Sequence, residues 1–177
     1  NKRYVVGKFI RPNQTSVRRA ELIEGQHPFA IVLSCSDSRI PVELVFDQGV
    51  GDIFVVRNAG NIVDDVALGS IEYAAAHLHV PLIVVMGHGS CGAVTATAKG
   101  GELEGHLPAI GALIRPAVDK VKTQQGDLVN NAARANAVMG AEKLKASTPV
   151  LSELVRSGKL TIVAAFYDIK SGKVEFI

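Results

Sequence analysis

The chain predicts an α/β fold: a mainly parallel β-sheet of about four strands flanked by helices, with an antiparallel strand at its C-terminal edge. Three observations carry this. Short apolar runs of strand length alternate with stretches whose apolar residues recur at helical spacing, so successive strands need crossover helices and lie parallel. A hydrophobic content of 47% with only 5% aromatic residues suits a core packed from Ala, Val and Ile. The turn Lys170-Ser171-Gly172 is too short for a crossover, so the last strand turns back antiparallel on its predecessor.

Each element has its own signal. Residues 16–24 read as a short helix, with Ser16 as N-cap and Gly25 just past the end. An apolar run after Pro28 gives a first strand at 29–34, and Asp52-Ile53-Phe54-Val55-Val56-Arg57 gives a second. Leu68, Ile71, Ala74, Ala75 and Leu78 fall on one helical face, and a third strand follows Pro81 at 81–86. A Gly-rich loop at 99–105 leads to the stripe Ile110, Leu113, Ile114, Ala117, Val118 and Val121, which Pro116 should kink or break. A longer helix follows Asp127, with Leu128, Ala132, Ala135 and Met139 on one side. Thr148 and Pro149 read as N-cap and first helical position of another helix, stopped by Gly158. Strands at 160–166 and 173–177 complete the sheet. No repeat, low-complexity tract or linker divides the chain, so residues 1–177 form one domain, with a short N-terminal helical arm over 1–25.

Composition narrows the function. Lys and Arg number 19 against 17 Asp and Glu, a net charge of +2, and no basic block suggests nucleic-acid binding. No apolar stretch has the length of a membrane span. No signal-peptide apolar region follows Asn1-Lys2-Arg3-Tyr4, so the expected location is the cytoplasm, with a removed targeting segment as the alternative. Two cysteines make no disulfide framework.

Those two cysteines sit in the strings Cys35-Ser36-Asp37-Ser38-Arg39 and His88-Gly89-Ser90-Cys91, each placed where a strand ends. In open α/β sheets, sites lie beyond the carboxyl ends of the strands. Two thiolates and a neutral imidazole are the ligand set of a catalytic zinc with an open fourth position. Asp37 and Arg39 can point to the same side, where the guanidinium would keep the carboxylate ionised and oriented. Asp37 could accept a hydrogen bond from zinc-bound water, or become a fourth ligand and close the site. Zinc brings the pKa of its water to about 7, so the expected chemistry is attack by zinc-bound hydroxide on a small electrophile. Val32, Ile40 and Val94 near the ligands favour a small, weakly polar one.

Residue physics does not name that electrophile, but a resemblance does. The patterns C-x-D-x-R and H-x-x-C, with SCSDSRIP at 34–41, DQGVGDIFVVRNAGN at 47–61, GSIEYAAAHL at 69–78, GHGSCGAV at 87–94 and FYDIKSGKV at 166–174, resemble the β-class carbonic anhydrases. The resemblance implies reversible hydration of carbon dioxide to bicarbonate and a proton. It implies zinc on Cys35, His88 and Cys91, and a catalytic dyad of Asp37 and Arg39. It further implies a bicarbonate-binding role for Gln48 and a backbone N–H from Gly92 near the substrate. A homodimer or homotetramer with active sites at the dimer interface is expected. A regulated subset of the family binds bicarbonate at an inhibitory site using a Trp three residues before the first Cys; here that position is Val32, and the chain has no Trp.

Rival readings use the same residues. Gly87-His88-Gly89-Ser90-Cys91-Gly92 spells G-x-G-x-x-G between a strand and a helix, but Glu102 and Glu104 come too early for the ribose-binding acid. A structural zinc would need Asp37 as its fourth ligand. A hydrolase of CS2 or COS would keep the same ligands and differ in access to them. His27, His77, His79 and His106 read as ordinary surface or helix-end residues.

Overall fold

The computed structural model describes residues 1–177. Strands β1 (Ala30–Cys35), β2 (Ile53–Asn58), β3 (Leu82–His88), β4 (Thr161–Tyr167) and β5 (Val174–Phe176) form one sheet in the order β2-β1-β3-β4-β5. Four of them pair in parallel, and β5 runs antiparallel to β4, as the short turn before it requires. The four parallel strands begin and end slightly further along the chain than their apolar runs suggest, while β5 is shorter than expected. This shift matters, because Cys35 and His88 are the last residues of β1 and β3 rather than the first beyond them.

Eight α-helices surround the sheet: α1 (Lys2–Val5), α2 (Ser16–Glu21), α3 (Val42–Phe46), α4 (Asp65–Glu72), α5 (Gly92–Lys99), α6 (Leu107–Val121), α7 (Leu128–Ala146) and α8 (Val150–Arg156). A 3₁₀ turn occupies Ala59–Asn61, and α4 continues into a π-helical turn over Tyr73–His77. Several local expectations need correction. Thr15, not Ser16, caps α2: its extended backbone lets the hydroxyl accept the Arg18 N–H at 3.2 Å. That helix ends at Glu21, and α8 is entered through Pro149 as N-cap rather than Thr148. Pro116 does not break α6, which runs from Leu107 to Val121. Pro116 and Ala112 are both exposed, so the carbonyl freed by the missing N–H can be hydrated.

Two apolar clusters make up the core. One joins Ile31, Leu33, Ile83, Val85 and Ile162 of the sheet to Ile71, Ala137, Leu144 and Leu151 of the helices. The other contains Cys35 and Cys91 themselves, with Ile40, Val42, Met86, Val94, Ile114 and Val118. Burying one such side chain contributes about 1.5–3 kcal/mol. Helix α7 lies against β3 and β4 at close range: a Cβ on Gly87 would stand 2.7 Å from the Ala133 carbonyl oxygen. Its buried face is Ala132, Ala133, Asn136, Ala137, Ala141 and Leu144, so the stripe expected through Ala135 and Met139 is rotated. Small side chains there bring the helix down onto the strand that carries His88.

Candidate metal centre

The ends of β1 and β3, with the first residue before α5, converge on one point. Cys35, His88 and Cys91 offer ligand atoms that all lie within 4.8 Å of one another. All three are buried, and His88 is 0% exposed. No other histidine joins them. Val32, Ile40 and Val94 are buried in the same cluster, as the apolar surroundings anticipated from the sequence require.

The imidazole is held in one tautomer. His88 Nδ1 lies 2.9 Å from the Gly89 carbonyl oxygen, which can only accept, so Nδ1 carries the proton. Nε2 therefore presents a lone pair, and it is buried with no hydrogen-bond partner. An orphaned buried nitrogen is costly unless something binds it. A divalent cation between it and the two sulfurs fits this donor set, and an accepting lone pair on histidine is what metal ligation requires.

The thiols depart from ordinary behaviour in opposite directions. A hydrogen bond from Cys91, opposed by burial and aided by the Gly60 N–H, holds the Cys35 thiol well below its usual range. Cys91 is pushed up by the same pairing and by burial. The Gly60 N–H donates to Cys35 Sγ at 3.3 Å. Gly60 sits at φ 76, and a Cβ there would stand 2.6 Å from Ile114 Cδ1, so both backbone and packing call for glycine.

Asp37 and Arg39 form the expected pair beside the ligands. Arg39 Nε donates to Asp37 Oδ1 at 2.9 Å and Nη2 to Oδ2 at 2.6 Å, with the Arg39 main-chain N–H also on Oδ1 at 2.9 Å. This grip holds the Asp37 carboxyl well below the usual carboxylate range. Asp37 Oδ2 lies 4.0 Å from His88 Nε2, so the carboxylate faces the ligands without touching the imidazole. Arg39 Nη2 also donates to the Ser90 carbonyl at 3.2 Å, which ties the first string to the second.

Gly92 opens α5, so its N–H is among the helix N-terminal amides without an intrahelical acceptor, and the residue is exposed. Gln48 is placed elsewhere. It lines a recess of about 250 Å³ with Phe29, Val32, Phe46 and Val84, over the N-terminal halves of β1 and β3. Its Nε2 donates to the Phe46 carbonyl at 3.3 Å. Sequence reasoning missed two supports of the site. One is the Gly60 amide. The other is Arg57 on β2, whose guanidinium donates to the carbonyls of Cys35 at 3.0 Å and Asp37 at 2.7 Å.

Comparison with known proteins agrees with this geometry. The family model described as carbonic anhydrase matches residues 30–174. Carbonic anhydrase 2 of Mycobacterium tuberculosis is 40% identical over 180 residues, covering 98% of this chain and 86% of that protein. A carbonic anhydrase of Mycolicibacterium smegmatis is 40% identical over 184 residues, covering 99% and 87%. Among solved structures, one from a study of two tetrameric β-carbonic anhydrases of Sordaria macrospora matches with a TM-score of 0.83 at 30% identity, covering 90% of this chain and 85% of that one. The converging strand ends, the Cys-His-Cys cluster and these likenesses together place the chain in the β-class carbonic anhydrase family, as an enzyme of that kind.

Proposed function

We propose that the chain hydrates carbon dioxide reversibly to bicarbonate and a proton, with zinc held by Cys35, His88 and Cys91. The observation that carries this reading is the buried, unpartnered Nε2 of His88 beside two sulfurs, all within 4.8 Å. Two thiolates nearly neutralise a divalent cation, which suits so buried a place. When bound, zinc would bring the pKa of a coordinated water to about 7 and so make a nucleophile available at neutral pH.

The chain's own residues supply the rest. Arg39 fixes both oxygens of Asp37, so the carboxylate can accept a hydrogen bond in one orientation. That grip also supports an open site, because Asp37 would have to leave Arg39 to become a fourth ligand. Gly92 would offer its free amide to substrate oxygen. A part for Gln48 in binding substrate calls for a second copy of the chain, since within one copy it lies over the other end of the strands.

A homodimer or homotetramer is supported by the apolar recess beside Gln48, whose rim includes Phe29 at 50% and Phe176 at 66% exposure. Sedimentation should give a dimer or tetramer; a fully active monomer at assay concentration would refute assembly as a requirement. The catalytic reading is tested by CO2 hydration on metal-analysed protein. One zinc per chain with rapid hydration is expected. A zinc-replete protein without hydration activity would overturn the reading.

A further inference from the structure

The Asp37–Arg39 pair does not stand alone. Arg39 is half exposed, and its one contact outside the Asp37 loop is the Ser90 carbonyl, which accepts from Nη2 at 3.2 Å. That carbonyl gives the guanidinium a second anchor beside the Asp37 carboxylate. Ser90 lies in the left-handed region at φ 53, uncommon for a residue with a Cβ, so its peptide orientation needs an external hold. That hold comes from α7. The side-chain carbonyl of Asn130 accepts the Ser90 N–H at 3.1 Å. Asn130 is in turn fixed by its place in the first helical turn, where its own N–H donates to the capping carboxylate of Asp127 at 2.9 Å. The Ser90 N–H shares its peptide group with the Gly89 carbonyl, which takes the His88 Nδ1 proton at 2.9 Å.

We infer that Asn130 is a positioning residue for the reaction: it holds the Gly89–Ser90 peptide, and with it the His88 ring on one side and, through Ser90, the carbonyl that Arg39 meets on the other. The inference rests on the proposed roles of His88 and Asp37. Asn130 itself bonds to neither the three ligands nor the Asp37 carboxylate, so it acts on them one peptide away. Its loss should therefore loosen the His88 hold and the dyad together. Outer partners of this kind typically carry roughly 10–100-fold in activity.

The test compares Asn130→Ala with Asn130→Asp, which keeps an acceptor oxygen at the same reach. Asn130→Ala should keep near-parental thermal stability but release zinc to a chelator more readily, while kcat of the zinc-replete protein falls by about 10–100-fold with little change in KM. Asn130→Asp should recover most of the lost kcat, an outcome that a purely packing role would not give. Leucine at this position, Asn130→Leu, fills the space without an acceptor and should behave like Asn130→Ala. Asn130→Ala with parental kcat would overturn the inference, as would Asn130→Asp impaired as deeply as Asn130→Ala. Parental zinc retention in Asn130→Ala would also refute it. Asp37→Ala run in parallel separates the two levels. If Asp37→Ala is inactive and Asn130→Ala is not, the positioning role alone fails. If Asp37→Ala keeps parental turnover, the reading of the dyad itself fails.

Discussion

Asp37 Oδ2 stands 2.6 Å from Arg39 Nη2 and 4.0 Å from His88 Nε2, so the carboxylate is held by the arginine while it faces the imidazole. That order of distances assigns the Asp37 carboxylate to Arg39 rather than to the Cys-His-Cys cluster. It also makes the two residues separable from the ligands by mutation.

Asp37→Ala should therefore retain zinc and lose turnover. Removing a positioned hydrogen-bonding or proton-handling group costs on the order of 10²–10⁴ in rate. Arg39→Ala frees the carboxylate to swing toward the ligands and should also lose activity with zinc in place. Metal analysis beside CO2 hydration checks both. Unchanged kcat in zinc-replete Asp37→Ala would reduce the pair to a loop salt bridge.

Cys91→Ser replaces a buried sulfur whose removal leaves only Cys35 and His88 at the centre. The variant should lose most of its metal under dialysis that leaves the parent loaded. Full occupancy in Cys91→Ser would show that the cluster is not the metal site.

Gly60→Ala should destabilise the fold by about 1–3 kcal/mol, the scale of cost for a residue forced into a sparsely populated backbone region. The added methyl also meets Ile114 Cδ1 at 2.6 Å, and relief would pull the Gly60 amide from Cys35 Sγ. Urea unfolding measures the first effect and competitive chelation the second, as weaker zinc retention. A variant equal to the parent in both would mean that the turn relaxes freely.

Asp47 stands just past α3, and its carboxylate is buried. It accepts the main-chain N–H groups of Ile10 at 2.9 Å and Arg11 at 3.0 Å and pairs with Arg3. The Ile10 N–H leads these influences, which together hold its pKa down to about 2. Because the folded value is depressed, the stabilisation is present above the unfolded value of about 3.9 and is lost as pH falls through about 2. Asp47→Asn should thus be less stable than the parent at pH 6, with the gap closing between about pH 4 and pH 2. Denaturant midpoints of both proteins across that range check it; a gap independent of pH would assign the effect to packing.

Much of the centre is legible in the sequence because its ligands follow directly from strand ends. An apolar run that stops at Cys35, and another that stops at His88, mark both the strands and the edge on which sites form. What escapes is whatever depends on tertiary approach. Gly60 and Arg57 act through a main-chain amide and through main-chain carbonyls, and neither contact leaves a pattern in residue types. The stripe on α7 is misjudged for a related reason. Alanine is the commonest residue of that helix, so hydrophobicity barely distinguishes its faces, and the buried Asn136 amide donates to the Gly60 carbonyl at 2.8 Å. The short helix α3 carries Val42, Val45 and Phe46 at helical spacing, but five residues are too few for that spacing to stand out from the sequence.

The parallel pairing of β1 with β3 has a kinetic consequence. His88 and Cys91 are near neighbours in the chain, so even an unfolded polypeptide can present them together. Cys35 joins only after β1 has docked beside β3, from Ile31 against Ile83 to Ser34 against Met86. Such non-local pairing carries a loop-closure cost and forms slowly. Tight zinc capture during refolding should follow that docking, so the rate of metal uptake becomes a clock for assembly of the central strands.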